Sequence, residues 1–381
     1  MKQRKDISPS KQRERKIIAT SSIGIGGNLL LVGFKAFVGF LTGSISIVSD
    51  ALNNLSDALS SLITIIGTKL SGKRPDKKHP FGHGRIEYLT SSIIGVLILF
   101  AGGLALYESI LDIVKYYQGG VLSNFDNLAF IIISVAIAVK VGLGTLFRIV
   151  GKRVNSDALK ASGIDALFDA LLSLGTLVGA LVTRFAGFYI EGYIGCVIGV
   201  FIIRSGIGVL RESVSSIIGD RAEEGLSAKI KAICLAHKEV HGVYDVILNN
   251  YGPNKTIGSL HIELDDDVTA KEIHGLCRII ESEIYIATGV ITTMGIYASN
   301  DSSPEGALIK TKLLEVLKGY PTLLQMHGFY VDSSKKIVTY DLIFDFSDSK
   351  VEHHASEICA AMKDAFPEYS FYPILDQDYS D

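Results

Sequence analysis

Asp50, Asn53 and Asp57 share one apolar stretch of the sequence, and Asp165 and Asp169 share another. An ionisable side chain inside such a stretch costs roughly 2.5–3.5 kcal/mol on insertion scales, so each demands a compensating interaction. Helical geometry puts Asp50, Asn53 and Asp57 on one face, and it sets Asn53 one turn from Asp57 and Asp165 one turn from Asp169. Two helices that each present such a pair can converge four oxygen-bearing side chains on one point, which is the arrangement a bound cation requires. For a lone polar residue in a span, a hydrogen bond between helices is the plainer explanation. For two matched pairs with three carboxylates and no nearby paired cation, neutralisation by a metal or by protons is the better account. Lys35 and Lys140 also fall in apolar stretches, where long side chains snorkel toward an interface or pair locally, and neither is expected to take part. Asp50 is a candidate proton relay, although capping of polar backbone is the simpler role for it.

The donor set narrows the cation. All nine histidines lie outside the apolar stretches, and Cys196 is the only cysteine within one. Zinc and copper favour imidazole or thiolate, whereas carboxylate and amide oxygens suit manganese, magnesium or calcium, with manganese leading on this argument. A second constellation follows in Asp76-Lys77-Lys78-His79-Pro80-Phe81-Gly82-His83-Gly84-Arg85-Ile86-Glu87, which packs one carboxylate and two imidazoles into eight residues. Asp76, His79 and His83 could hold a metal there, or the segment could only cap and anchor the helix that follows.

The elements that must position these groups follow from hydropathy. With 48% hydrophobic residues and a mean hydropathy of +0.34 over 381 residues, the chain is too apolar for an ordinary soluble enzyme. Six stretches long enough to span a bilayer are expected at 17–41, 44–70, 86–112, 127–149, 158–183 and 189–211. Lysines and arginines crowd the N-terminal segment 1–16, the second connection (Lys73, Arg74, Lys77, Lys78, Arg85) and the fourth (Arg148, Lys152, Arg153, Lys160). The opposite connections hold only Lys115 and Arg184, so both termini are expected in the cytoplasm, with the chain in the inner or plasma membrane. Met1 to Lys16 shows no short apolar core followed by a small-residue cleavage site, and the first span is expected to act as its own insertion signal.

After Gly219 a soluble pattern begins, α-β-β-α-β, with a helix near 226–239, strands near 243–250 and 257–265, a helix near 269–287 and a strand near 290–297. The order recurs with a helix near 305–318, strands near 326–332 and 336–345, a helix near 351–365 and a strand near 369–375. Val240-His241-Gly242-Val243-Tyr244 and Met326-His327-Gly328-Phe329-Tyr330 fall at equivalent places, and Ser299 to Glu305 reads as the linker. His241, His261, His274, His327, His353 and His354 lie in this region, where exposed or hydrogen-bonded histidine is the usual case and regulatory metal binding the alternative. A net charge of −3 with scattered basic residues gives no reason to expect nucleic acid as a partner, and four cysteines without CxxC spacing give neither a disulfide framework nor a thiolate zinc site.

The runs Gly27-Asn28 through Lys35, Gly39, Thr42-Gly43-Ser44, Asp50-Ala51-Leu52-Asn53-Asn54-Leu55-Ser56-Asp57 and His79 through Glu87 resemble the cation diffusion facilitator family over about residues 15–297. The resemblance implies a mainly α membrane protein of six transmembrane helices (17–215), followed by a cytoplasmic α+β ferredoxin-like domain (220–298); the recurring element order, and not the resemblance, makes 305–377 a second, diverged repeat. It implies a homodimeric antiporter that exchanges a divalent metal ion for protons across the lipid bilayer, with no cofactor. The transport site of that family maps onto Asn53, Asp57, Asp165 and Asp169, and the Asn-Asp plus Asp-Asp set is similar to the manganese-exporting branch. Asp76, His79 and His83 match an accessory site of some zinc members. Thr293-Met294-Gly295-Ile296-Tyr297 stands where some members have a histidine-rich ending, and residues 300–381 extend beyond the usual length. The expected function is manganese export from the cytoplasm by alternating access, protons and metal competing for the same oxygens. Export of zinc, iron, cobalt or cadmium, a membrane metal sensor and an intramembrane metalloenzyme are the alternatives. The last lacks any HExxH, nucleophile elbow or P-loop in the sequence.

Overall fold

At 1.5 Å per residue, a helix needs about 20 residues to cross the hydrocarbon core of a bilayer. The computed structural model describes residues 9–42, 45–119, 127–186, 189–221, 224–253, 255–300 and 303–377. Within them, six long helices come first: α1 (Pro9–Thr42), α2 (Ile45–Ser71), α3 (Ile86–Tyr117), α4 (Asn127–Arg153), α5 (Asp157–Ala186) and α6 (Glu191–Ile218). Five of these are both long and apolar enough to cross a membrane. The exception is α2, whose 27 residues suffice in length but include Asp50, Asn53, Asn54, Asp57 and several serines. The helices turn large apolar side chains outward, among them Leu30, Phe37, Phe100 and Phe201, as a lipid-facing surface does. Helix α1 runs from Pro9, so Lys11, Arg13, Arg15 and Lys16, ahead of or at the edge of the first expected span, are already helical.

Glycine sets the approach of the helices. Helices α3 and α6 pack along each other, as do α1 with α2 and α4 with α5. A methyl group placed on Gly144 of α4 would sit 3.0 Å from the Gly163 carbonyl oxygen of α5, and one placed on Gly163 would sit equally close to the Gly144 carbonyl. Only glycine at both positions lets these backbones touch, because lipid gives helices no hydrophobic reason to associate and close packing must supply it. Arg13 ties the same region together. Its guanidinium donates to both Glu87 carboxylate oxygens at 2.9 and 2.6 Å and to the carbonyls of Val154 and Asn155. The arginine thus joins α1, the start of α3 and the α4–α5 turn, a role beyond the positive-inside signal its sequence position gave.

The chain divides into two compact units, the first running to Asp220 and taking in Tyr251–Asn254, the second comprising Arg221–Asn250 and Lys255–Asp381. The second contains α7 (Glu224–Leu235), β1 (Gly242–Asn250), β2 (Thr256–Asp265), α8 (Ala270–Thr288) and β3 (Ile291–Ser299). It continues with α9 (Pro304–Leu317), β4 (Leu323–Asp332), β5 (Ile337–Phe344), α10 (Val351–Ala365) and β6 (Ser370–Asp376). Strands β1-β2-β3 form one sheet and β4-β5-β6 another, each with an antiparallel then a parallel pairing. Period-two alternation sends Leu260, Ile262 and Leu264 inward from β2 to meet Ile280 and Ile284 of α8, whose N-terminus is closed by a Thr269–Glu272 capping box. Val338, Tyr340 and Leu342 of β5 meet Ile358 and Met362 of α10 in the same way. The connection between the two halves is shorter than expected, because Ser303 caps α9 with Pro304 at its first turn.

The register corrects the expected alignment of the two halves. In β1, Tyr244 pairs with His261 and the next recorded pair is Ile247 with Ser259; in β4, His327 pairs with Asp341 and the next is Tyr330 with Thr339. Each strand therefore carries the same one-residue bulge, and Tyr244 corresponds to His327 rather than to Tyr330. The bulged residues Asp245 and Gly328 both take positive φ, 52° and 60°. Resemblance of the His-Gly-x-Tyr letters hid a three-residue offset that only strand pairing reveals.

Candidate metal centre

Helices α1, α2, α4 and α5 enclose a small cavity of about 10 Å³, room for roughly a single water-sized sphere. Asp57, Ser60 and Ser61 line it from α2, Asp165 and Ser162 from α5, Lys140 from α4 and Asn28 from α1. Residues four apart on a helix share a face, so the glycine contact between α4 and α5 also fixes Lys140, one turn before Gly144, against α5. There the Lys140 ammonium donates to Asp169 Oδ2 at 2.6 Å and to Asp57 Oδ2, bridging α2 and α5.

This bridge overturns the expectation that the carboxylates have no nearby paired cation, and it puts Lys140, to which no part was assigned, at the centre of the group. Lys140 does not snorkel; its side chain is 5% exposed. Two carboxylates in reach offer more electrostatic stabilisation than a distant interface. Lys35 is also buried. Asn28 was missed as well: its Oδ1 is buried with no hydrogen-bond donor among the described residues, an acceptor facing a carboxylate-lined cavity. A polar residue in a span was the available signal, but α1 offered no second residue with which to pair it.

The structure brings Asp57 and Asp165 to one cavity and joins Asp57 to Asp169 through Lys140. Asn53 is exposed and does not line the cavity, and the side chain of Asp50 lies outside the described residues. Among the described residues, the three carboxylates of α2 and α5 are not drawn into one mutual ligand cluster. What the arrangement offers is a cluster of hard oxygen donors in the membrane, with an ammonium held where a cation would neutralise them.

Between α2 and α3, Asp76, His79 and His83 do come together, each offering a ligand atom within 4.8 Å of the others. His79 Nδ1 is 3.5 Å from Asp76 Oδ1 and His83 Nε2 is 3.4 Å from Asp76 Oδ2. The His79 and Lys78 backbone N–H groups donate to the same carboxylate at 2.8 and 2.9 Å. Led by the His79 N–H, these donors and the two imidazoles hold Asp76 below the usual carboxylate range. The loop is thus anchored by its own hydrogen bonds, and its three side chains also point to a shared centre.

Comparison with known proteins agrees with this architecture. The cation efflux transmembrane domain family matches residues 21–218, which include α2, and the cytoplasmic domain of cation efflux proteins matches residues 222–294. An uncharacterized transporter of Methanocaldococcus jannaschii is 30% identical over 254 residues, covering 67% of this chain and 88% of its own length. The magnetosome protein MamB of Magnetospira sp. is 28% identical over 256 residues, 66% of this chain and 85% of its own. The manganese efflux system protein MneP of Bacillus subtilis is 25% identical over 283 residues, 72% of this chain and 92% of its own. With six long helices, a carboxylate-lined cavity among them and an α+β region behind, the chain belongs to the cation efflux, or cation diffusion facilitator, family of multi-pass membrane transporters of divalent metal ions.

Proposed function

We propose that the protein exports manganese from the cytoplasm in exchange for protons, by alternating access around Asn53, Asp57, Asp165 and Asp169. The observation that carries this reading is the all-oxygen donor set of α2 and α5 with the Lys140 ammonium held between Asp57 and Asp169. An ammonium there does for the empty transporter what the dication does for the loaded one, because buried carboxylates need a positive partner in either state. Entry of the ion moves Lys140 aside, and Asn53 joins the donors as α2 and α5 shift. On release, Lys140 and protons reclaim the oxygens, which couples metal flux to proton flux. Oxygen donors support manganese over zinc, as do the printed functions of the two Bacillus subtilis manganese efflux relatives.

In this reading both termini are cytoplasmic and the protein is a homodimer in the inner or plasma membrane. Residues 17–215 form the transport domain, 220–298 a ferredoxin-like cytoplasmic domain and 305–377 its diverged repeat. Asp76, His79 and His83 serve as an accessory metal site at the cytoplasmic mouth, and Asp50 caps backbone or relays protons.

The test is a metal panel in proteoliposomes with an internal pH reporter. Wild-type protein is expected to move manganese with opposite proton flow and to move zinc poorly. Asp57→Ala and Asp169→Ala are expected to abolish both fluxes while the purified variants remain folded. Unchanged manganese transport in both variants removes these residues from the mechanism.

A further inference from the structure

Asp245 occupies a backbone conformation that glycine would take without strain. Its φ of +52° lies in the left-handed region, and the corresponding residue of the second half, Gly328, shows the usual solution. An aspartate tolerates this conformation better than most residues but still pays in backbone energy, so its carboxylate is the natural reason for its presence. The bulge turns that carboxylate toward His327, at the place where the two halves meet: the rings of Tyr244 and His327 stack with centroids 4.7 Å apart and planes 8° apart.

Around this junction, Asp245, His327, Asp341 and Asp376 each offer one ligand atom within 4.8 Å of all the others. The His327 side chain is 0% exposed, and among the described residues neither of its ring nitrogens has a hydrogen-bond partner. Its Nε2 is nevertheless 3.1 Å from Asp245 Oδ1 and 3.6 Å from Asp341 Oδ2, and Asp245 Oδ1 likewise has no hydrogen bond. Donors bound about 2.0–2.2 Å from one shared ion sit roughly 3.0–3.6 Å from each other, so both separations are those of ligand edges, and the longer one is beyond hydrogen-bond reach. Nearby, Tyr297 Oη is 2.7 Å from both Asp245 Oδ2 and Asp341 Oδ2, although its single proton can serve only one of them. His261 Nδ1 lies 2.8 Å from Asp245 Oδ2.

Charge points the same way. Three carboxylates converge on one buried imidazole, and burial without a matching positive charge is costly. A cavity of about 500 Å³ adjoins the group, lined by Asp245, His261, Tyr297, Asp341 and Asp376, and gives an ion a route in. We propose that Asp245, His327, Asp341 and Asp376 form a binding site for a divalent first-row transition metal that joins the two α+β halves. One imidazole with three carboxylates favours manganese, iron or cobalt over calcium and magnesium, and does not exclude zinc. Three of the four ligands lie beyond the residues that the cytoplasmic-domain family matches, so the site belongs to the C-terminal extension.

The proposal is independent of the transport reading, and its test removes the membrane carboxylates first. Full-length protein carrying Asp57→Asn, Asp165→Asn and Asp169→Asn, with His83→Ala to disable the Asp76–His79–His83 group, is purified in detergent and titrated with manganese, and the free ion is followed by its electron paramagnetic resonance signal. This background is expected to retain a bound ion that excess magnesium does not displace. Adding Asp376→Asn, at a partly exposed strand end, is expected to weaken that binding at least tenfold, and His327→Ala at least as much. Because the buried His327 change can perturb folding, the Asp376→Asn result decides. Absence of a magnesium-resistant ion in the background protein, or equal affinity after Asp376→Asn, overturns the proposal and leaves the group as a proton-sharing hydrogen-bond cluster.

Discussion

Replacing Lys140 with glutamine tests whether the ammonium holds the place of the transported ion. Lys140 is 5% exposed, and its partners Asp57 and Asp169 are 19% and 33% exposed. Removing one partner of a buried ion pair costs about 3–5 kcal/mol, and the exposure of Asp169 puts this case near about 3 kcal/mol. Glutamine keeps most of the length and can still donate hydrogen bonds, but it removes the ammonium bonded to both carboxylates and leaves the buried Lys35 of α1 as the remaining positive charge acting on Asp57. If manganese must displace the ammonium, the free energy of that displacement is no longer subtracted from binding. Even half of it, about 1.4 kcal/mol, is a tenfold change in affinity. Lys140→Gln is therefore expected to bind manganese at least about tenfold more tightly at mildly alkaline pH, where protons compete least. Turnover in vesicles is expected to fall, because the ammonium bonded to both carboxylates no longer reclaims their oxygens when the ion should leave. The ion-free variant should also melt below wild type, with saturating manganese closing the gap by mass action. Isothermal titration with thermal melting checks both effects. Binding that is unchanged or weaker would show that Lys140 is a structural tie and not the ion's stand-in.

The remaining predictions address selectivity and scaffold. Asn53→His adds an imidazole to an all-oxygen set and is expected to raise zinc transport relative to manganese, read as the ratio of initial fluxes in the same vesicles; an unaltered ratio counts against donor control of selectivity. Arg13→Ala strands the Glu87 carboxylate, which is 2% exposed, and is expected to destabilise the membrane unit by about 3–5 kcal/mol, whereas Arg13→Ala combined with Glu87→Gln should recover much of the loss. Denaturation midpoints of the two variants in detergent distinguish an ion pair that holds α1 to α3 from one that merely marks orientation.

How far the sequence reached depends on the range over which each signal acts. Hydropathy and basic clustering are summed over neighbours along the chain, and they located the six long helices to within a few residues at most ends. The four-residue spacing of Asp165 and Asp169 is likewise local, because a helix places such residues on one face whatever surrounds it. Alternation located the strands and helices of the α+β region by the same logic. Lys140 was legible as a charge in a span, but not as the partner of Asp57, 83 residues away, and of Asp169, 29 residues away. That pairing depends on how α4 meets α5, which two glycines set by permitting backbone contact. The offset between the two halves was hidden for a related reason: a bulge adds one residue to one strand and leaves no mark in composition, so matching letters aligned Tyr244 with Tyr330 while the ladders align it with His327. The sequence by itself determined which residues enter the membrane and which helix faces carry oxygen donors, since both follow from local periodicity and transfer free energy. Only the tertiary structure decided that an ammonium lies between two of those carboxylates and that Asp245 meets His327, because each depends on the approach of segments distant along the chain.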